Sequence, residues 1–319
     1  MNGLLLTHED RHLKRQKLVQ ESIKRNTKAL KVAGLMSAEY DPNAEYEIKI
    51  WEEDFREVPT RMLMARIYQP VGEGPFPVLL DLHGGAWTFK DRMANKAMAE
   101  VMARSGILTV SVDLRLGGEA PYPASVQDAN YAIRWLKMKA PGLNGDPSTI
   151  GLLGSSSGGH VAMLLGMRPN DPRYNKISLD GHSDINARVN YVAARSPISD
   201  PLARYNNAIA KKNQEMVDRH HVYFNPFSDI EEGNPQMILD RKEPVDLVPM
   251  LVLQGGLDDN VLPAFQVKFG ESYREAGGDC KVEVFEGCGH LWVLEEGPDT
   301  DRAHDMVKDF IACQLGATH

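Results

Sequence analysis

Gly154-Ser155-Ser156-Ser157-Gly158 lies between an apolar run at residues 150–153 and a helix-forming run at residues 161–165. This order predicts a strand, a tight turn and a helix. Only Ser156 has glycine both two residues before it and two residues after it. In this G-x-S-x-G pattern the glycines make room for a strained turn that exposes the serine hydroxyl. Ser156 is therefore the predicted nucleophile, and free N–H groups of the following helix favour negative charge beside it.

Strand-like apolar runs alternate with helical segments over most of the chain. The predicted strands cover residues 46–51, 62–68, 78–82, 108–112, 150–153, 189–194, 250–254 and 281–285, and the predicted helices cover about 95–104, 125–139, from about 157, 264–275 and 301–315. This alternation predicts βαβ units. The expected fold class is α/β, with a mostly parallel eight-stranded sheet and helices on both of its faces.

Two segments lie outside this pattern. Residues 8–35 mix charged and apolar side chains, which predicts one or two amphipathic helices. Residues 197–245 contain no clear strand, and a long insertion within a compact domain usually has a function. The expected organisation is a helical cap segment at residues 1–44 and a catalytic domain at residues 45–319, with a helical cap insertion at about 197–245.

Composition restricts the partners and the compartment. The 319 residues carry a net charge of -8, which disfavours nucleic acid and anionic membranes because both attract basic surfaces. No apolar stretch approaches the length of a membrane span, and no secretory signal is recognisable. The three cysteines fit no zinc pattern, which favours free thiols in the cytoplasm. The composition is compatible with a homodimer.

A second glycine motif, His83-Gly84-Gly85-Ala86-Trp87, follows the predicted strand at residues 78–82. Its glycines allow backbone amides to turn towards a substrate oxygen. Fixed amide donors stabilise the oxyanion of a tetrahedral intermediate, and the loss of one donor typically costs about 3 kcal/mol. The predicted donors are the N–H groups of Gly85, Ala86 and Ser157. We expect His83 itself to form hydrogen bonds within the loop.

The predicted base is His290, which remains when the other nine histidines are excluded by position. Chains with this strand–turn–helix motif place the nucleophile first, then the acid, then the base. His290 follows the predicted strand at residues 281–285, in a glycine-containing loop. The predicted acid is Asp258, which follows the predicted strand at residues 250–254 and would orient the imidazole. Asp259 is the alternative acid.

Two other motifs could suggest different chemistry. His8-Glu9-Asp10-Arg11-His12 matches the H-E-x-x-H zinc pattern, but it lies in a highly charged segment and has no identifiable third ligand. Cys288 is close to His290 but has no base of its own, so we interpret it as a packing residue. The expectation is an enzyme that needs neither a metal nor a cofactor.

Further motifs resemble the hormone-sensitive-lipase-like esterases of the α/β-hydrolase superfamily. They include Pro123-Ala124-Ser125-Val126-Gln127-Asp128-Ala129, Asp146-Pro147-Ser148-Thr149-Ile150 and Asp113-Leu114-Arg115-Leu116, and the resemblance extends over about residues 45–315. It implies the α/β-hydrolase fold and hydrolysis of a small-molecule ester through an acyl-enzyme. The His-Gly-Gly-x-Trp form is also similar to kynurenine formamidases and feruloyl-type esterases.

Three functions remain open at this point. The first is a carboxylesterase, and the second is a C–N hydrolase that cleaves a formamide, amide or carbamate with the same triad. The third is a ligand-binding protein on a hydrolase scaffold, which would usually lack one triad member. Aromatic residues near the motifs are the candidates for an apolar substrate pocket. They are Trp87, Phe89, Tyr122, Tyr223, Phe224 and Trp292.

Overall fold

The computed structural model describes residues 40–316, and their eight strands form a single sheet. The strands are β1 Ile48–Val58, β2 Arg61–Pro70, β3 Val78–Leu82, β4 Leu108–Val112, β5 Gly151–Ser155, β6 Val192–Arg195, β7 Met250–Gly255 and β8 Cys280–Phe285. Their spatial order is β1-β2-β4-β3-β5-β6-β7-β8. β2 pairs antiparallel with β1 and β4, and all the other pairs are parallel. The predicted mostly parallel eight-stranded sheet is confirmed.

Helices cover both faces of this sheet, as predicted. They are α1 Lys96–Arg104, α2 Ala124–Lys139, α3 Ser157–Met167, α4 Pro201–Ala210, α5 Gln214–Tyr223, α6 Asp229–Glu232, α7 Pro235–Asp240, α8 Pro263–Glu275 and α9 Pro298–Gly316. Successive strand residues point to opposite faces. Leu79 accordingly packs in the core that contains side chains of α1 and α9, whereas Leu80 packs in the core that contains side chains of α2, α3 and α8.

The first hairpin is longer than predicted. Residues 46–51 and 62–68 were the expected strands, but β1 continues to Val58 and β2 starts at Arg61. The polar residues of β1 do not resemble a buried strand. They are accommodated because β1 lies at the sheet edge, where only Phe55 and Val58 are buried and the other side chains are exposed or half-buried. The strand predicted at residues 189–194 is also displaced. β6 starts three residues later, at Val192, and ends one residue later, at Arg195.

Four helices, α4 to α7, lie between β6 and β7, in the segment predicted as an insertion. Three of them begin at a side-chain cap. Asp200, Asn213 and Asn234 each accept a hydrogen bond from the backbone N–H three residues later, which satisfies a donor that the helix leaves free. The amphipathic helices predicted at residues 8–35 lie outside the described residues, as does the cap segment at 1–44 apart from its last five positions.

Membrane-spanning structure was not expected from the sequence. Within residues 40–316, no helix combines the length and the apolar character that crossing a bilayer requires.

The start of α3 packs directly against the end of β3. A Cβ atom placed on Gly158 would lie 2.1 Å from the carbonyl oxygen of Leu82 and 2.5 Å from that of His83. A Cβ atom on Gly154 would lie 2.5 Å from the carbonyl oxygen of Gly158. Backbone atoms at these distances cannot yield without moving a strand. The two glycines of the pattern are therefore required by close packing.

Gly158→Ala tests this close packing. We expect the free energy of unfolding to fall by about 1–3 kcal/mol, the typical cost of overpacking a well-packed site. The measurement is a urea unfolding curve. Gly118→Ala is the matched control, because a Cβ atom at Gly118 has no neighbour within 4 Å. Equal midpoints for the two variants would show that α3 is not packed in this way.

Candidate active site

Ser156 lies in the turn between β5 and α3 with a strained backbone. Its φ of 52° and ψ of -113° are unfavourable for any residue with a side chain. Its N–H donates to the carbonyl oxygen of Arg195 at 2.9 Å, and its own carbonyl accepts from the N–H groups of His160 and Ile198 at 3.0 and 3.2 Å. These bonds hold the turn in place, and Ser156 forms part of a cavity wall.

Ser156, His290 and Asp258, which the sequence predicts as a triad, form one hydrogen-bonded chain. His290 Nε2 lies 3.1 Å from Ser156 Oγ, and His290 Nδ1 lies 2.7 Å from Asp258 Oδ2. The three residues follow β5, β8 and β7, whose carboxyl ends meet at the same edge of the sheet. In the neutral tautomer with hydrogen on Nδ1, Nε2 is free to accept the serine proton.

The carboxylate of Asp258 is buried and fully hydrogen-bonded. Oδ1 accepts from the N–H groups of Asn260 and Val261 at 3.0 and 2.8 Å, and Oδ2 accepts from Gln254 Nε2 at 3.0 Å as well as from His290. Burial raises the pKa of Asp258, but the hydrogen bond and charge of His290 and the other donors outweigh it, so the pKa is lowered. Because its pKa is lowered, the carboxylate of Asp258 is ionised at neutral pH.

Asp259, the alternative acid, has a different environment. Its side chain is 85 % exposed and lies 3.3 Å from Lys211 Nζ. The geometry therefore favours Asp258, which contacts the imidazole.

The loop after β3 contains Gly85 and Ala86, two of the three predicted oxyanion donors, and the third, Ser157, is the first residue of α3. Gly85, Ala86 and Trp87 have φ values of 109°, 46° and 62°, so three successive residues are left-handed. Such a run orients neighbouring N–H groups in a similar direction, which suits an anion. Within residues 40–316, the N–H groups of Gly85, Ala86 and Ser157 donate to no backbone carbonyl. A Cβ atom on Gly84 would lie 3.3 Å from the Cβ atom of Ser156, so the loop lies directly beside the serine.

His83 is buried in this loop and has local hydrogen-bond partners, as expected from the sequence. Its Nδ1 donates to the carbonyl oxygen of Gly84 at 2.8 Å, and its Nε2 accepts from the N–H of Leu114 at 3.4 Å. Burial lowers the pKa of His83, so the ring stays neutral. Its contacts fix the loop to the segment after β4.

A cavity of about 380 Å³ opens beside Ser156. Its wall contains the loop after β3, the ends of β5 and β6, and helices α4 and α5. It also contains His290, Leu291, Val293 and Leu294. Phe89, Leu291 and Leu294 are large apolar side chains that are both exposed and part of this wall. The helices of the predicted cap insertion therefore contribute directly to the space in front of the serine.

Five of the six aromatic residues predicted to line the pocket do not line this cavity, which corrects that prediction. Trp87 stacks on Tyr223 with ring centroids 4.7 Å apart, and Tyr122 and Phe224 pack around them in a buried cluster. Trp292 is also buried and packs on Phe285 at 4.3 Å. Burial of these large rings stabilises the fold more than exposure in a cavity would. Phe89 alone of the six lies in the wall.

The sequence analysis missed a buried polar network under Ser156. Asn95 Nδ2 donates to Asp81 Oδ1 at 2.8 Å, and Asn95 Oδ1 accepts from Arg195 Nη2 at 2.8 Å and from Ser155 Oγ at 3.0 Å. Arg195 is only 2 % exposed. A signal was present, because Asp81 and Arg195 are charged residues within or at the end of otherwise apolar strands.

Arg204 was also missed. It lies on α4, is 1 % exposed and forms part of the cavity wall. Its neighbours on α4 are a mixture of apolar and polar residues, and no pattern among them distinguishes it from a surface arginine.

The described residues give no support to a metal site. Within residues 40–316, no group of three or more His, Cys, Asp or Glu side chains is arranged to hold a metal ion. The H-E-x-x-H motif at residues 8–12 lies outside the described residues. Cys288 is buried, donates from Sγ to Asp299 at 3.4 Å, and has a pKa raised to about 11, chiefly by burial. It is therefore suited to packing rather than to nucleophilic attack.

The sheet order, the turn that holds Ser156 and the surrounding helices define the α/β-hydrolase fold. Solved structures of similar fold include esterase 2 of Thermogutta terrifontis with butyrate bound. It has a TM-score of 0.66 and 22% sequence identity, and the match covers 86% of this chain and 96% of that one. The BD-FAE family model matches residues 66–271, and the chain belongs to this family.

Curated relatives of the chain are named esterases. Esterase LipC of Mycobacterium tuberculosis is 28% identical over 74% of this chain, and Carboxylesterase NlhH of the same species is 26% identical over 73% of it. The match spans 58% of the length of LipC and 68% of the length of NlhH. The chain thus spans somewhat more than half of the length of these relatives.

His160 provides a test of the buried cluster behind the cavity. Its Nδ1 accepts from Trp87 Nε1 at 3.1 Å, and its Nε2 donates to the carbonyl oxygen of Gly233 at 2.6 Å. Burial lowers its pKa from 6.5 to about 4. Below pH 6.5 the unfolded chain gains a proton that the folded chain does not bind. His160 alone should therefore contribute a loss of stability of about 1.4 kcal/mol per pH unit until the pH passes through its folded pKa.

The measurement compares urea midpoints from pH 7 to pH 4.5 for the protein and for His160→Gln. Glutamine keeps an acceptor and a donor but does not titrate, so we expect a smaller loss of stability on acidification in the variant. His182→Gln is the control, because His182 is only partly buried and lies outside the aromatic cluster. The same pH dependence in His160→Gln and the unmodified protein would contradict the buried, neutral state of His160.

Proposed function

We propose that this protein is a carboxylic ester hydrolase that acts on a small-molecule ester through an acyl-enzyme intermediate on Ser156. The observation that carries the proposal is the hydrogen-bonded chain from Ser156 through His290 to Asp258, beside three free N–H groups and a cavity. Further support comes from the BD-FAE family match and from relatives named esterase and carboxylesterase.

The geometry supports a two-step mechanism. Ser156 Oγ attacks the ester carbonyl while His290 Nε2 takes its proton, and Asp258 stabilises the imidazolium that forms. The N–H groups of Gly85, Ala86 and Ser157 donate to the oxyanion of the tetrahedral intermediate. His290 then protonates the leaving alkoxide. Water, activated by the same imidazole, releases the acid from Ser156.

A C–N hydrolase would use the same groups. No contact of the described residues distinguishes an ester oxygen from an amide nitrogen in the leaving group, so the family and its named relatives favour the ester. The third function, ligand binding without catalysis, is disfavoured because no member of the hydrogen-bonded chain is missing.

The proposal gives the insertion at residues 197–245 the role of a cap. Support comes from Met216 and Arg219 on α5 and Arg204 on α4, which all contribute to the cavity wall. Helices there exclude water from the serine and select the shape of the substrate. The proposal also includes a reducing compartment such as the cytoplasm, which the free cysteines Cys280, Cys288 and Cys313 support.

Asp258→Asn tests the role of the acid. The amide would favour the imidazole tautomer with hydrogen on Nε2, which cannot accept the serine proton, so we expect kcat to fall by about 10⁴-fold. The measurement is steady-state hydrolysis of p-nitrophenyl butyrate. Asp259→Asn is the matched control, since its side chain is exposed, and it should stay within a few-fold of the unmodified protein. A larger loss of kcat in Asp259→Asn than in Asp258→Asn would show that Asp259, and not Asp258, is the acid.

Ser156→Ala tests the nucleophile and, with a substrate panel, the bond that is cleaved. We expect turnover of p-nitrophenyl esters to disappear while the fold, followed by circular dichroism, remains. Ser157→Ala keeps the backbone N–H and should retain measurable turnover. The unmodified protein is also compared on N-formyl aromatic amines and p-nitrophenyl esters. A higher kcat/KM for the formamides would support the C–N hydrolase instead.

A further inference from the structure

The cavity beside Ser156 has an excess of positive charge. Lys90, Arg195, Arg204 and Arg219 all contribute to its wall. Among the described residues that line it, the only carboxylate is that of Glu215, which lies 2.5 Å from Arg219 Nη2. The whole chain has a net charge of -8. This concentration of cations therefore does not follow from composition and needs a local explanation.

Arg204 is a buried cation whose hydrogen bonding is incomplete. Its Nε donates to Asn260 Oδ1 at 3.0 Å, and its Nη1 lies 3.4 Å from His220 Nε2. The guanidinium carbon lies 5.5 Å from the centroid of the Trp87 ring. Its Nη2 is buried and has no hydrogen-bond partner within residues 40–316. One guanidinium donor group is thus held in place without an acceptor.

The neighbours of Arg204 do not neutralise its charge. Burial, followed by the charge of Arg204, lowers the pKa of His220 to about 3, so this histidine is a neutral acceptor. Asp258 is close enough to raise the pKa of Arg204, but its oxygens already accept from His290, Gln254 and two backbone N–H groups. Within residues 40–316, no carboxylate lies within ion-pair distance of Arg204.

Arg204 nevertheless remains charged at neutral pH. Burial lowers its pKa only to about 9. A buried charge without a counterion costs stability. Such a cost is typical of functional sites, where a bound ligand supplies the missing partner. A guanidinium is a suitable partner for a carboxylate.

We propose that the ester substrate carries a second, anionic group, a carboxylate, which lies against the cavity wall beside Arg204 and balances its charge while the ester carbonyl lies at Ser156. Lys90 and Arg219 add to the attraction from the cavity wall. The exposed apolar side chains of Phe89, Leu291 and Leu294 contact the uncharged part of the substrate. This inference rests on the proposed ester hydrolase function and specifies its substrate class.

The carboxylate can belong either to the acyl part or to the alcohol part of the ester, and two matched substrate pairs distinguish these sources. Phenyl hydrogen succinate and methyl phenyl succinate differ by one negative charge on the acyl side. 4-Acetoxybenzoate and its methyl ester differ by one negative charge on the leaving-group side. We expect the anionic member of at least one pair to have a kcat/KM at least tenfold above that of its neutral partner.

Variants of Arg204 link this preference to the residue. In Arg204→Gln the ratio of kcat/KM between the anionic and neutral members should fall at least tenfold, mainly through KM of the anionic ester. Arg204→Lys keeps the charge and should retain part of the ratio, which makes the test independent of whether the glutamine variant folds. Arg188→Gln is the control for net charge. Arg188 is 60% exposed, pairs with Asp246 and precedes the amino end of β6.

The outcomes separate this inference from the proposed function. A fall of the ratio in Arg204→Gln and its partial retention in Arg204→Lys would support the carboxylate partner. Two results would overturn it. One is that the unmodified protein prefers the neutral member of both pairs. The other is that the anionic-to-neutral ratio of kcat/KM is the same in Arg204→Gln and Arg188→Gln. If either of these results is found and the protein still hydrolyses the neutral esters, the proposed ester hydrolase function stands. Failure to hydrolyse any of the four esters, together with no fluorophosphonate labelling, would overturn both.

Discussion

The rest of the site depends on the close contact between the turn after β5 and the end of β3. Gly154 and Gly158 have no room for a side chain, because backbone carbonyls occupy the space. This contact keeps Ser156 at a φ of 52°. A non-glycine residue in such a conformation costs on the order of 1–3 kcal/mol, which the surrounding structure must supply. Relaxation of the turn would move the serine hydroxyl away from both His290 and the proposed oxyanion donors.

The buried polar network under the turn supplies part of that support. Asn95, at the start of α1, connects Asp81 in β3 with Arg195 at the end of β6. The carbonyl of Arg195 in turn accepts the N–H of Ser156. Three parallel strands and one helix are thereby coupled to the turn. Burial raises the pKa of Asp81, so its charged form is disfavoured there. A buried polar network whose members are hydrogen-bonded makes the surrounding backbone rigid, which suits a turn that must keep one conformation.

Sequence patterns predicted the fold and the hydrogen-bonded chain because both depend on local order. Strand and helix periodicity, glycine spacing and the position of His290 after the last strand are visible in the chain itself. The long edge strand β1 was underestimated because its polar residues do not alternate with strongly apolar ones. The wall of the cavity was largely missed for a different reason. Tertiary packing between segments far apart in the chain decides whether Trp87 or Trp292 faces a cavity and whether Arg204 is buried.

The most direct test of the account is to label the protein with a fluorophosphonate and to identify the modified residue by peptide mass spectrometry. An activated serine reacts because its base removes the proton during attack on phosphorus. We expect one equivalent of label, on Ser156, with much slower labelling of the Asp258→Asn variant. Labelling of Ser155 or Ser157 instead, or no labelling of a protein that hydrolyses esters, would contradict the assignment of Ser156 as the nucleophile.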